Sequence, residues 1–488
     1  MKNTKKNDKK IMRAWAFYDW ANSVYSLVIT STIFPIYYVT ITTAYENEEY
    51  LADSDRWISI PVRNSISIFG KEYNPDAIYG YSLTLSFFIV VLLSPILSAL
   101  ADTIGNKKVF LKFFCYLGSI SCMGLALFTG MSTVFLGLLF SIMASVGFWG
   151  SLVFYNSFLP DIATPDKQDS LSAKGFIYGY IGSVVLIVLC LILIIFLADT
   201  PEQSKFFTRI SFLLTGAWWF GFSQYTFKHL PKFGTITDKL PKERARLSIK
   251  KLFKKNKNNG EYLVSLKKSI LFYKEITKES FKELFKVGNK LFTTPNLKYF
   301  LISFFFYSVG MQTIFLMATL FGKGEINLSQ EKLIFILILI QIEAILGAVF
   351  FSWLSSKIGN KNVISVAIAL WIVVCVWAFY LNKEDINVEY QFYGVAGLVG
   401  LVMGGLQAMS RSTFSKLLPQ NSMENTTYFG FYDVLEKVAI ILGTFIFSSL
   451  INEFNNMRFA ALSMSIFFGI GLIFIRFIRA GKPSFTSK

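Results

Sequence analysis

The segment Ser98-Ala99-Leu100-Ala101-Asp102-Thr103-Ile104-Gly105-Asn106-Lys107-Lys108 closes one long apolar run, and Ile358-Gly359-Asn360-Lys361 closes another. The two Ile-Gly-Asn-Lys tetrapeptides lie 254 residues apart. Two more pairs keep the same order along the chain, Leu159-Pro160 with Leu418-Pro419 and Gly175-Phe176 with Gly430-Phe431. Three matches in register argue for an internal duplication. Parallel six-helix halves around a central site are the architecture of a rocking secondary transporter.

Working outward, a membrane span needs ~20 apolar residues. Runs of that kind cover about 14–44, 77–100, 109–130, 132–158, 173–198 and 206–227, then 297–321, 330–354, 363–381, 391–415, 427–450 and 457–478. The expected fold is an all-α membrane protein of twelve transmembrane helices in two pseudo-repeated six-helix bundles. Its expected parts are a basic tail (1–13), a first bundle (14–227, with an external loop at 45–76), a basic linker (228–296), a second bundle (297–479) and a tail (480–488). The first run is far longer than the ~7–15-residue core of a signal peptide, so it reads as a membrane helix.

Composition agrees. The 488 residues are 53% hydrophobic and only 16% charged, with 51 Phe. A soluble domain has nearer ~25% charged residues. Cys115, Cys122, Cys190 and Cys375 lie inside apolar runs, so no disulfide framework is indicated. His229 is the only histidine. A polyhistidine metal site is thereby excluded, and no metal or cofactor is expected. A polytopic membrane transferase would need an acid–base constellation at the membrane surface. The sequence has no HxxxxD and no clustered histidines, so an enzyme is disfavoured, as is a passive channel by the repeat.

The formal charge of +17 is unevenly placed. Residues 1–13 carry a net of +5 and residues 228–290 a net of +12, whereas Tyr45–Asp76 carries −4. Lys/Arg-rich loops stay inside. Both termini and the linker are expected in the cytoplasm of a multi-pass cell (inner) membrane protein, and nucleic acid is not an expected partner. Within the linker, Leu266, Ile270, Tyr273, Thr277, Phe281 and Leu284 recur at helical spacing. Glu275–Lys278, Glu279–Lys282 and Glu283–Lys286 are i,i+3 pairs on the other face. Such a helix fits anionic inner-leaflet lipids, and equally a solvated connector. The protein is expected to be a monomer with a small-molecule substrate.

Polar residues inside the spans are the candidate site, because lipid exposure would be costly. Asp19, Asn22, Ser23, Ser26 and Thr30 follow α-helical spacing on one stripe. In the eleventh span Asp433 and Lys437 are one turn apart and can neutralise one another; both a structural pair and a site for a zwitterion fit. Glu436 has no such partner in that reading. Tyr432 adjoins this pair, and Gln407 lies one turn before Arg411 in the tenth span. Arg411 can snorkel to the surface or meet an anionic group in a cavity. Glu343, mid-span among apolar residues, is a proton-coupling candidate with Asp19 as the alternative; a hydrogen-bonded packing role is the other reading of each. Trp149, Tyr155, Trp218 and Trp219 read as packing or interface anchors.

The loop after the second span resembles the Gly-x-x-x-Asp-Arg-x-Gly-Arg-Arg signature of the major facilitator superfamily. Ser98, Thr103 and Asn106 depart from it, and the fourth span has no basic residue. The resemblance implies an inner gate formed by Asp102, Gly105 and Lys107. Asp102 would act there on the positive end of the eleventh helix. Tyr18-Asp19-Trp20-Ala21-Asn22-Ser23, Tyr155-Asn156-Ser157-Phe158-Leu159-Pro160-Asp161-Ile162-Ala163, Gly404-Gly405-Leu406-Gln407-Ala408-Met409-Ser410-Arg411-Ser412 and Phe429-Gly430-Phe431-Tyr432-Asp433 are similar to the autophagy-related vacuolar amino-acid effluxer-like permeases and their bacterial relatives. That resemblance implies a permease moving a small solute by alternating access. An amino acid or similar metabolite is the leading class, and a lipid or lipid-linked substrate is the alternative.

Overall fold

The computed structural model describes residues 6–51, 56–231, 278, 280–326, 328, 330–419, 422, 424–454 and 456–479. Twelve long helices account for most of them. Helix 1 runs Lys9–Thr42 as three segments, α Lys9–Val24, π Tyr25–Ile33 and α Phe34–Thr42. Helices 2 to 6 are Pro75–Ile104, Lys107–Gly124, Val134–Ser157, Pro165–Leu191 and Pro201–His229. Helices 7 to 12 are Pro295–Gly324, Gln330–Ile358, Asn360–Tyr380, Val388–Leu417, Asn425–Phe454 and Met457–Arg476. Eleven of these contain a stretch long and apolar enough to cross a membrane; helix 6 falls outside that set.

Several boundaries differ from expectation for local reasons. Asp8 caps helix 1, accepting from the Lys10 and Ile11 amides at 2.8 and 3.1 Å, so part of the basic tail is helical. Thr200 caps helix 6 ahead of Pro201 at its first turn, so the helix starts five residues before the expected 206. The loop expected at 45–76 contains two hairpins, β1 (Thr43–Leu51) with β2 (Arg56–Arg63) and β3 (Ile66–Ile68) with β4 (Lys71–Tyr73). Phe69 and Gly70 both have positive φ, +50° and +77°, as a two-residue primed turn demands. The π segment also corrects the polar stripe of helix 1. Beyond Val24 the i→i+5 winding replaces α spacing, so Ser26 and Thr30 do not inherit the face of Asp19 and Asn22. The linker positions Leu266, Ile270, Tyr273, Thr277, Glu275 and Glu279, and the tail at 480–488, lie outside the described residues.

Two hydrophobic cores form, one mainly from Trp15–Leu230 and one mainly from Val287–Ile478. Across the halves, helix 2 packs on helix 11 and helix 5 on helix 8. The repeat is visible in backbone geometry. Gly105 and Gly359 have φ of +71° and +80°, a positive φ that favours glycine and lets one helix end and the next begin within two residues. In the second half, helices 8 and 10 approach through Gly347, Gly400 and Gly404. A Cβ at Gly404 would lie 2.1 Å from the Ala344 carbonyl oxygen, and one at Gly347 would lie 1.8 Å from that of Leu401. Close backbone contact of this kind is how membrane helices gain dispersion energy without a hydrophobic effect between them.

Two outcomes follow from these glycines. Gly105→Ala and Gly359→Ala should each cost about 1 kcal/mol through the strained positive φ. Gly404→Val should abolish a monodisperse folded protein, because the obstacle is backbone. Thermal melts and size-exclusion profiles in detergent check both; an unchanged melt for Gly404→Val would refute the packing argument.

Candidate functional site

Arg411 on helix 10 points into the first half of the molecule. It is 4% exposed and does not snorkel. Its Nη1 lies 3.3 Å from Asp19 Oδ2 on helix 1 and donates to Asn156 Oδ1 at 3.2 Å. Its Nε donates to Ser172 Oγ at 2.9 Å, and Nη2 donates to the Ser172 carbonyl at 2.7 Å. The rings of Phe176, Trp15 and Tyr155 surround the guanidinium at 4.2, 4.9 and 5.5 Å. The Tyr155 hydroxyl donates to Asp19 Oδ2 at 2.8 Å. Four helices thus converge on one ion pair. Gly175 makes the convergence possible, since a Cβ there would sit 2.5 Å from Asp19 Oδ2 and 2.9 Å from Arg411 Nη2. A Cβ at Gly179 would meet Ser23 Oγ at 2.5 Å. Asn22 is fully buried beside this pair in sequence, and Gln407 accepts from the Tyr180 hydroxyl at 2.9 Å.

A second charged group sits on helix 11. Lys437 Nζ, fully buried, lies 2.9 Å from Asp433 Oδ1 and 2.8 Å from Glu436 Oε2. It also lies 3.7 Å from the centroid of the Trp149 ring on helix 4. Glu436 is therefore not without a partner; it also accepts from Gln312 Nε2 at 3.1 Å. Asp433 Oδ2 accepts from Ser94 Oγ of helix 2 at 3.2 Å. Trp149 and Tyr155 are ring partners of buried cations rather than simple anchors. Tyr432 is buried and stacks on Phe304 at 4.0 Å. Glu343 is half-buried against Gly397 and Gly400 of helix 10 and, among the described residues, joins neither charged group by hydrogen bond or ion pair.

Nearer the linker, Asp102 caps helix 11. Its carboxylate accepts from the Thr426 and Thr427 amides at 3.2 and 2.6 Å and from Thr427 Oγ1 at 2.8 Å. These are orphan donors at the positive end of a helix. Lys107 donates to the Ser157 carbonyl at 2.7 Å and pairs with Asp161, whose other oxygen accepts from Asn425 Nδ2 at 2.7 Å. On the opposite side, Asp169 at the start of helix 5 takes Lys416 at 2.5 Å, Asn360 at 2.7 Å and Ser355 at 3.1 Å. Among the described residues, the hydrogen bonds and ion pairs joining the halves lie between the linker end and the middle of the bundle. At that end the halves are closed on each other.

Outside the spans, Glu424 accepts from Lys286 at 2.5 Å and Lys290 at 2.8 Å, both on the linker helix 280–293. Burial raises its carboxyl, but hydrogen bonds involving Glu283, Lys286 and Lys290 outweigh burial and lower it to about 2. A carboxyl lowered in this way contributes fully above its free range near 4.5 and is lost only as pH falls towards 2.

Sequence reasoning did not find the Asp19–Arg411 pairing, nor the parts played by Asn156, Ser172 and Asp169. A signal existed: Asp19 and Arg411 each lack an opposite charge one turn away on their own helix, and each is too deep to remain single.

The whole chain has known counterparts. Residues 7–484 match the family described as "Vacuole effluxer Atg22 like". The MFS-type transporter YxiO of Bacillus subtilis is 30% identical over 467 residues, covering 95% of this chain and 94% of that protein. Autophagy-related protein 22 of Saccharomyces cerevisiae is 25% identical, covering 92% of this chain and 88% of its own. Among solved structures, the transporter FucP in the outward conformation aligns with a TM-score of 0.63 at 12% identity, covering 97% of this chain and 99% of that one. The proton:xylose symporter XylE aligns with a TM-score of 0.66 at 13% identity, covering 96% of each chain.

Two measurements test this geometry. Arg411→Ala strands Asp19 and should cost about 3–5 kcal/mol, whereas Asp19→Asn with Arg411→Gln should recover most of it; thermal unfolding in detergent compares them. Protease protection of the linker helix should be the same at pH 8 and pH 5, and Glu424→Gln should lower it to the same modest extent at both.

Proposed function

The chain belongs to the family of Atg22-like vacuole effluxers, and from that premise we propose that it carries a small zwitterionic solute, an amino acid or similar metabolite, by alternating access. It is an MFS-type transporter with a multi-pass membrane fold and no enzymatic chemistry. The linker end, with its basic segments, is the cytoplasmic end of a cell-membrane protein in this reading. The closed linker end then corresponds to an outward-facing or occluded form.

The observation that carries the substrate class is the Asp19–Arg411 pair, buried where the two halves meet. Breaking such a pair by removing one partner is costly, because it leaves an unanswered charge in a dry interior. A solute bearing both charges avoids that cost. Its carboxylate can replace Asp19 at Arg411, and its ammonium can take the carboxylates released. The Asp433–Glu436–Lys437 group has two acids for one base, so it offers an ammonium a further place. A solute of one sign could not make both exchanges. Asn22, Ser23, Gln407 and Tyr432 line this reading of the site, while Asp102, Gly105 and Lys107 serve as its gate.

Coupling to protons remains with Glu343 or Asp19 in this proposal. One elementary charge crossing the membrane gains ~2.3 kcal/mol per 100 mV, enough to concentrate a neutral solute about fifty-fold.

Purified protein in liposomes, offered a panel of amino acids with and without an imposed proton gradient, tests the proposal. Accumulation of a zwitterion is expected, and Asp19→Asn should abolish it when rates are scaled to the folded protein recovered in the liposomes, since that variant leaves Arg411 unanswered; transport by that variant at the wild-type rate would remove Asp19 from the mechanism. Asp102→Asn should slow the cycle several-fold with little change in affinity. Glu343→Gln should keep counterflow while losing gradient-driven accumulation, and unchanged accumulation would assign the proton elsewhere.

A further inference from the structure

The linker helix 280–293 has three distinct faces. Val287 and Leu291 are buried in the core of the second half, and Ser280 is buried beside them in the helical projection. Phe281, Phe285 and Phe292 form a second stripe and are 43, 75 and 73% exposed. Lysines form the third face, Lys282, Lys286 and Lys290 at i,i+4 spacing, with the exposed Lys278 one step earlier in the same series. Of these, Lys286 and Lys290 are engaged by Glu424, and Lys282 is exposed.

Two ties place this helix against the gate. Ser280 Oγ donates to Thr103 Oγ1 at 3.3 Å, next to Asp102 in helix 2. Lys286 and Lys290 hold Glu424, two residues before the Thr426 amide that Asp102 caps. The helix therefore touches the neighbour of each gate partner. It also ends at Thr293, two residues before helix 7 enters its span at Pro295, which fixes it at the membrane boundary.

We propose that the Phe281, Phe285 and Phe292 face, flanked by Lys278 and Lys282, docks on an anionic phospholipid surface, and that this docking steadies the closed gate. Three exposed phenylalanines in water are a standing cost. At the boundary of a bilayer the rings enter the acyl–headgroup region while lysines meet the phosphates. The sequence over 278–293 is net basic, four lysines against Glu279 and Glu283, and Glu283 lies beside the protein face. Lipid is favoured over a protein partner because chain continuity at Pro295 already brings the helix to the bilayer. The docking does not depend on the substrate reading above; only its consequence for a cycle rests on alternating access.

The test uses the full chain. All four native cysteines are buried, so Phe285→Cys, Phe292→Cys and Lys282→Cys can each carry a bimane label singly. In nanodiscs containing brominated lipid, labels at 285 and 292 should be quenched and the label at 282 much less. Quenching should grow when phosphatidylglycerol replaces part of the phosphatidylcholine. Hydrogen–deuterium exchange at the Thr426 and Thr427 amides reads the gate directly and needs no substrate. It should slow in anionic nanodiscs. Lys278→Gln and Lys282→Gln should each remove about fivefold of that slowing, as expected for one lysine at an anionic surface. Absence of quenching at 285 and 292 in every lipid would overturn the docking and leave a protein partner or solvent on that face. Quenching that ignores lipid charge would overturn the anionic commitment. Docking with no change in amide exchange would overturn the link to the gate.

Discussion

A charge inside a bilayer must be answered within the protein, and in this molecule the answer to Arg411 comes from the other half of the chain. Asp19 lies 392 residues away. The pair is held by a shell in which Ser172, Asn156 and Tyr155 supply four further hydrogen bonds and three aromatic rings pack around the guanidinium. That shell dictates much around it. Helix 5 must present glycine at 175, because any side chain would occupy the position of the ions. Helix 4 must bring Tyr155 and Asn156 to the same point, and Trp15 stacks on Tyr155 at 4.5 Å to hold the ring.

The corners after helices 2 and 8 show how a duplication is used unequally. Both halves keep the positive-φ glycine after their second helix, at 105 and 359. In the first half the last turn of helix 2 supplies the acid, Asp102, to the amides of helix 11. In the second half the start of helix 9 supplies Asn360, and the acid comes from helix 5 as Asp169, with Lys416 as counter-charge. The two corners are thus similar in backbone and opposite in the direction of charge. Gly175 and Gly430 keep the correspondence as well. The first clears room for the buried ion pair, and the second would place a Cβ 2.3 Å from Ser98 Oγ, so helices 2 and 11 can close.

How far this could be read from the sequence depended on whether the signal was local. Span positions, the repeat and the Asp433–Lys437 pair depend on residues within a few turns, and each is found as such in the helices. The contact of Asp102 with the start of helix 11, 324 residues on, was implied only by the likeness of its loop to the superfamily signature. The Asp19–Arg411 pair depends on how two halves are docked, which no periodicity records. The same holds for Glu436, whose partners are the adjacent Lys437 and a glutamine 124 residues away. The π segment at Tyr25–Ile33 escaped for another reason: a run of apolar and hydroxyl residues has no composition that distinguishes i→i+5 from i→i+4 winding.

A transporter must hold its closed end firmly and yet release it in every cycle, and the contacts here are graded for that. Helix-terminus contacts such as Asp102 on Thr426 and Thr427 are each worth about 0.3–2 kcal/mol. Exposed pairs such as Lys286–Glu424 contribute about 0–1 kcal/mol. A population shift of a gate from almost closed to almost open needs about 5.5 kcal/mol. A handful of weak contacts meets that scale, and a solute's binding energy can offset it. The buried pair belongs to a different class, since separating it unaided would cost about as much as all the weaker contacts together. On the proposed reading, opening is favourable only when something replaces Asp19 at Arg411 or neutralises it, so the ion pair that organises the fold also sets the condition on which the gate opens.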